Sequence, residues 1–261
     1  MELPIHPIPS ENKPQDKRLK SLKYKSLPKI PTNCCILGRV GSGKSSCLYS
    51  MLSEGYVTGK KKKKSVFDEI VCYIGNRESD WAFEKLPCKN ILILHDFDAE
   101  AFDHYIEDLR SHQLERLGKN KPPLNIALVF DDMATSMLLK KVNGKSPLAS
   151  LLLTSRHELN ASCFVLSQIY KSQGFSVPMI RNNITTWIVY NMSKPEWDKI
   201  AEDHANDFDP KELTAVYEAM MATPHNFMVI DYRRPLHDRI SERFTKVLHP
   251  YQSSESSSDS E

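Results

Sequence analysis

The sequence predicts an α/β protein with a mostly parallel central sheet flanked by helices, and three observations carry that prediction. Short apolar runs alternate with helical patterns along the 261 residues, the arrangement that crossover helices impose on a sheet covered on both faces. One run, Cys34-Cys35-Ile36-Leu37, leads directly into Gly38-Arg39-Val40-Gly41-Ser42-Gly43-Lys44-Ser45, a full G-x-x-x-x-G-K-[ST] pattern. Another, Leu124 to Phe130, ends in two carboxylates, Asp131 and Asp132.

Taken in order, residues 1–31 carry Pro4, Pro7, Pro9, Pro14, Pro28 and Pro31 among lysines and read as an extended arm. Strands are expected at Asn33–Leu37, Glu69–Ile74, Asn90–Leu94, Ile126–Phe130, Ala161–Leu166, Thr185–Tyr190 and Phe227–Asp231. The spacing of Phe102, Tyr105, Ile106, Leu109 and Leu114 predicts an amphipathic helix over Glu100–Leu117. Ser193-Lys194-Pro195-Glu196 and Asp209-Pro210-Lys211-Glu212 resemble capping boxes with proline in the first turn. Residues 32–250 read as one domain, and 251–261 as an acidic, serine-rich tail expected to be disordered.

Composition narrows the class. A formal net charge of +2 confines any nucleic-acid surface to a local patch. The six cysteines lack metal-ligand spacing and fall mostly in apolar runs, so buried thiols are expected, not a disulfide framework. No apolar run reaches the roughly 18 residues of a membrane span, and no signal-peptide pattern is seen. The expected location is intracellular.

The glycine-rich motif binds phosphate because its backbone folds tightly enough for successive N–H groups to point inward. Gly38, Arg39, Val40, Gly41, Ser42, Gly43, Lys44, Ser45 and Ser46 form the expected nucleotide-binding set. Within it Lys44 places a charge at the β- and γ-phosphates, and the Ser45 hydroxyl is set to ligate Mg²⁺. In a parallel sheet ligands sit at the carboxyl ends of strands, which brings Asp131 and Asp132 to the same site. Asp131 is assigned to the metal shell, through water, and Asp132 to orienting or deprotonating the attacking water. The plain alternative is that the two aspartates merely end a strand.

Gln168 closes the next strand and stands close enough to sense a γ-phosphate or position water, or is simply a polar strand end. Arg156, beside His157, and Arg181 compete as a finger acting on a neighbouring subunit's nucleotide, with surface ion pairing as the alternative for both. Lys60, Lys61, Lys62, Lys63 and Lys64 form a loop between the first helix and the second long strand. Contact with DNA phosphates is favoured for it, ahead of a nuclear-localisation signal or a solvated loop. It has no interleaved aromatics, so tracking of a double strand fits better than single-strand stacking.

The ordered set Gly38–Ser45, Val129-Phe130-Asp131-Asp132-Met133, Arg156-His157 and Ser167-Gln168 resembles the genome-packaging ATPases of large DNA viruses and virophages, a branch of the HerA/FtsK superfamily. The likeness spans about residues 30–232. It implies an additional-strand, RecA/FtsK-like P-loop fold, ATP and Mg²⁺ as cofactors, and rings, hexamers, that pump double-stranded DNA into a capsid. It also implies docking to a capsid or membrane component at the packaging vertex, in a cytoplasmic viral factory or the virion. Lys44 and Ser45 then take the phosphate and metal roles, Asp131 the metal role and Gln168 the polar-sensor role. Many superfamily members have Asp-Glu where this chain has Asp131-Asp132, which leaves the shorter Asp132 a less secure base.

Four other classes share parts of this pattern. A cellular HerA-like DNA translocase shares the motifs, but the chain has little room for appended domains. A nucleotide kinase would show an arginine-rich lid, and a GTPase an Asn-Lys-x-Asp reader that is absent. A non-catalytic nucleotide-sensing scaffold would not need Asp132.

Overall fold

Side chains alternate across short apolar strands, and here both sides are buried, so the sheet has a core on each face. The computed structural model of the chain describes residues 16–22, 26–59, 63–75, 77, 80–131, 146–170 and 178–248. Its elements in chain order are β1 (Asn33–Leu37), α1 (Lys44–Ser50), β2 (Val57–Thr58), β3 (Lys64–Ser65), β4 (Glu69–Ile74), α2 (Asp80–Glu84), β5 (Asn90–Leu94) and α3 (Ala99–Gly118). There follow β6 (Ile126–Asp131), α4 (Pro147–Thr154), β7 (Ala161–Ser167), α5 (Pro178–Asn183), β8 (Thr186–Val189), α6 (Lys194–Asp203), α7 (Pro210–Met221), β9 (Met228–Asp231), β10 (Ile240–Glu242) and β11 (Lys246–Val247). All seven expected strands form, with ends that differ by a residue at most.

Among the described residues the main sheet runs β11-β10-β9-β8-β1-β7-β6-β4-β5. The strands from β8 to β5 in this order are parallel, and β9, β10 and β11 extend the other edge antiparallel. Strand β7 is inserted between β1, which precedes the glycine-rich loop, and β6, which ends in Asp131. The chain leaves β1 toward β4 on one side and reaches β8 on the other. That makes β1 a switch point, where a crevice opens at the carboxyl ends of the strands.

Cys34 and Ile36 face a core closed by α1, its continuing π-turn Met51–Gly55, and Leu27. Cys35 and Leu37 face a second core with Phe102 and Leu109 of α3, Leu151 and Leu152 of α4, Trp197 of α6 and Tyr217 of α7. All six thiols are free; five are buried and Cys88 is half-buried. No helix among the described residues is long and apolar enough to cross a membrane.

Local expectations were corrected at two places. On α3, Leu114 is 63% exposed and Gln113 is buried instead, donating to the Leu124 and Leu159 carbonyls at 2.9 and 2.7 Å. Helical geometry explains this: Gln113 lies about 20° around the axis from Phe102, and Leu114 about 120°. Asp209 caps α7 through the N–H groups of Lys211 and Glu212, but Ser193 makes no side-chain cap on α6. Glu196, its expected box partner, accepts the Tyr170 N–H at 2.7 Å instead. The described parts of residues 1–31 also touch the domain. Arg18 forks onto both Asp68 carboxylate oxygens at 2.9 and 2.8 Å, and the Tyr56 hydroxyl donates to the Pro28 carbonyl at 2.8 Å.

Candidate functional site

The glycine-rich loop begins where three strands end. The Gly38 N–H donates to the Ser167 carbonyl at 3.2 Å and the Tyr190 N–H to the Leu37 carbonyl at 2.8 Å, so the loop emerges between β7 and β8. A Cβ at Gly38 would fall 2.5 Å from Ser42 Oγ and 2.8 Å from Tyr190 Cβ, which excludes any side chain there. Gly43 has φ +104°, a conformation that disfavours residues with a Cβ. It precedes α1 and offers no side-chain cap to the first helical turn. Ser42 Oγ is buried against the loop without a hydrogen-bond partner among the described residues, while Arg39, Val40 and Gly41 form the exposed tip.

Lys44 folds its ammonium back across the loop, donating to the Gly38 and Arg39 carbonyls at 2.8 and 3.0 Å. The Ser45 hydroxyl donates to Asp131 Oδ2 at 2.8 Å. That contact follows from the register: Leu37 is level with Ser167 on β7, and Leu166 with Asp131 on β6. A cleft of about 490 Å³ opens there, lined by Lys44, Ser45, Ser46, Asp131, Gln168 and Trp81 among others. The loop, Asp131 and Gln168 are therefore brought together. Asp132 lies outside the described residues, as do Lys60, Lys61 and Lys62.

Ser45 and Asp131 suit Mg²⁺. Among the described residues no three His, Cys, Asp or Glu side chains cluster as an all-protein metal cage. Mg²⁺ is commonly held by one or two protein oxygens together with water and substrate phosphates, and a hydroxyl touching a carboxylate supplies such a pair.

The two arginines are not part of this cleft. Arg156 follows α4 at the amino end of β7, and its Nε is buried without a partner among the described residues. Arg181 lies in α5 just before β8, with its Nε 2.9 Å from an Asp203 oxygen. Both precede the strands whose far ends carry the loop. Of the lysine run, Lys63 pairs with Glu54 and Lys64 belongs to β3 of a short hairpin.

A second cleft, about 670 Å³, was not anticipated. It shares Gly41, Ser46 and Ser50 with the first and is walled by Tyr190, Phe227, Arg243 and Phe244. Phe227 lies 5.1 Å from the Tyr190 ring and 5.3 Å from the Phe244 ring, and the Arg243 guanidinium carbon sits 5.9 Å from the Phe227 ring. Tyr190 is fixed at both ends: its hydroxyl donates to the Gly43 carbonyl at 3.3 Å, and its own carbonyl accepts from the Tyr217 hydroxyl at 2.9 Å. Burial pushes the Cys47 thiol up to about 11 and the Tyr190 phenol higher still, so both walls are neutral at neutral pH. The sequence signal for this cleft was weak. Arg243 and Phe244 lie beside strands of two and three residues, too short to show a period.

Sheet order, loop and strand insertion together define a P-loop NTPase fold of the additional-strand kind. No protein-family profile and no curated protein matches the sequence. Solved structures are similar in fold. The DNA-packaging ATPase B204 from Sulfolobus Turreted Icosahedral Virus superposes with a TM-score of 0.53 at 12% identity, covering 84% of this chain and 99% of that one. The genome packaging NTPase B204 from Sulfolobus turreted icosahedral virus 2 in complex with sulfate gives 0.52 at 12%, covering 84% and 98%. Its complex with ATP-gammaS gives 0.50 at 12%, covering 81% and 96%.

Proposed function

We propose that this chain is an ATP-hydrolysing translocase of double-stranded DNA that packages a viral genome into its capsid. It would act in the infected cell or virion as a homo-oligomeric ring, a hexamer, docked on a capsid or membrane component. One observation carries the ATPase reading: Ser45 and Asp131 are hydrogen-bonded inside a cleft that Lys44 and Gln168 also line. The packaging reading is supported by the fold shared with two genome- or DNA-packaging enzymes, one of them in complex with ATP-gammaS.

In this reading the loop amides wrap the phosphate chain, and Lys44 exchanges the Gly38 and Arg39 carbonyls for β- and γ-phosphate oxygens. Ser45 and Asp131 would hold Mg²⁺, which neutralises charge that develops on the phosphates. Asp132 takes the proton of the attacking water, and Gln168 orients that water or reads the γ-phosphate. The base and ribose extend past Ser46 into the aromatic cleft, where Phe227, Phe244 and Arg243 offer stacking and cation–π contacts. Arg156 or Arg181 would act in trans on a neighbour's nucleotide, because neither lines its own chain's nucleotide cleft.

The test is ATP hydrolysis by the purified full chain, with and without double-stranded DNA, alongside native mass spectrometry of the assembled species. DNA-stimulated turnover by a ring supports the proposal. Turnover that ignores DNA at every protein concentration removes the translocase reading and leaves only a nucleotide hydrolase.

A further inference from the structure

A third cavity, about 480 Å³, opens beneath the antiparallel half of the sheet and is separate from both nucleotide clefts. Its walls include Arg233, His204, Tyr232, Thr185, Arg181 and the exposed Asn182. Two of these residues carry polar groups that no described residue satisfies. Arg233 donates through Nη1 to the Pro31 carbonyl at 2.6 Å, yet its Nε and Nη2 are buried without a partner. His204 is 3% exposed, and its Nε2 also lacks a partner.

The chemistry of both groups is that of donors. Arg233 presents a planar fork that always carries charge. The other ring nitrogen of His204, Nδ1, contacts the Tyr232 hydroxyl. A phenol is the better donor of the two, so Tyr232 donates to Nδ1 and the proton of the neutral ring resides on Nε2.

The carboxylate in the cavity wall, Asp203, and two others nearby are already engaged. Asp203 pairs with Arg181 at 2.9 Å and accepts the Tyr170 hydroxyl at 2.8 Å. Asp231 pairs with Arg234 at 3.4 Å, and Asp207 with Arg239 at 2.9 Å. Arg233 has no ion pair among the described residues. A guanidinium fork and an imidazole N–H on two residues that line one cavity, with no acceptor among the described residues, are costly in a folded protein unless water or an anion reaches them.

We propose that this cavity is an anion-binding site that takes a phosphate group between the Arg233 fork and His204 Nε2. A guanidinium meets two oxygens of a phosphate through parallel N–H···O bonds, which a lone lysine cannot do. The site lies toward the amino-terminal edge of the strands, away from the ATP loop, and does not depend on the nucleotide reading. The phosphate would belong to a DNA backbone or to a free phosphate compound.

The experiment uses the full chain with the glycine-rich loop saturated by a non-hydrolysable ATP analogue. The His204 imidazole nitrogens are followed by NMR, assigned with His204→Gln, while inorganic phosphate is titrated; a short DNA duplex forms a second arm. A saturable shift at Nε2 with either probe supports the site. A shift with the duplex alone assigns the phosphate to DNA, and a shift with inorganic phosphate assigns it to phosphate groups in general. Arg233→Gln should weaken binding roughly ten- to a hundredfold, the worth of a charged hydrogen-bonded contact, with Arg233→Lys between the two. No shift in the folded wild-type chain with either probe would overturn the proposal whether or not the variants fold. Unchanged affinity in a folded Arg233→Gln protein would also overturn it.

Discussion

The Ser45 hydroxyl donates to the Asp131 carboxylate across 2.8 Å, joining the first turn of α1 to the end of β6 over 86 residues of chain. Neither residue could find the other without β7 lying level between their strands. In the proposed enzyme these two oxygens would hold Mg²⁺, which would supply positive charge against the phosphates.

Asp131→Asn and Ser45→Ala should therefore each depress ATP turnover, and the double variant should lose much less than the sum of the two. Residues that act as one unit behave non-additively. A double-mutant cycle on phosphate release measures this, and full additivity would separate the two residues functionally.

Lys44→Ala should abolish turnover and weaken nucleotide binding roughly ten- to a hundredfold, the worth of charged hydrogen bonds to phosphate. Asp132→Asn should keep binding while stopping hydrolysis. Binding of a fluorescent ATP analogue, measured beside turnover, distinguishes the two; an active Asp132→Asn enzyme would place the base elsewhere.

Phe244→Ala and Arg243→Ala should raise the KM for ATP with little change in kcat, since they would touch the base and not the phosphates. Stacking on an aromatic is worth about 1–3 kcal/mol, or up to roughly a hundredfold. Steady-state kinetics across ATP and GTP read this directly. A fall in kcat at constant KM would exclude the aromatic cleft as the base site.

Replacing Lys60, Lys61 and Lys62 with serine should flatten the salt dependence of DNA-stimulated turnover, by a slope of about 0.9 for each phosphate that is no longer neutralised. Lys63→Ser should do less, because Lys63 already pairs with Glu54. Equal effects from all positions would mean that the Glu54 pair does not persist when DNA is bound.

Stability should fall in mild acid through His204. Burial pushes its imidazole down to about 4 from an ordinary 6.5, against the pull of Asp203 and Asp207. It packs against Trp187 and Tyr232, neither of which carries charge at these pH values. The unfolded chain thus binds a proton that the folded chain refuses between these two values. The resulting penalty begins below pH 6.5 and is complete below about pH 4, reaching roughly 3 kcal/mol. Denaturant melts from pH 7.5 to 4 would show it, and His204→Gln should remove that part of the slope.

The glycine-rich loop, the seven long strands and the expected helices were legible because they depend on local signals: a motif of fixed spacing, apolar runs and end residues. Periodicity also misled where one position decided the outcome, as at Leu114 and Gln113. Ser193 makes no side-chain cap, and the carboxylate of its expected box partner, Glu196, is drawn to the Tyr170 N–H, a choice that no local pattern contains.

Assembly decided the rest. Strand order brought Asp131 and Gln168 to Lys44 and left Arg156 and Arg181 at the opposite edge. Packing of the C-terminal hairpin placed Phe244 and Arg243 beside Phe227, and folding the chain back across the sheet set Arg233 and His204 on one cavity. Local sequence encodes dihedral preference and which side of an element is apolar. The company a polar side chain keeps is set by non-local pairing, and in this protein that pairing turns separate motifs into sites.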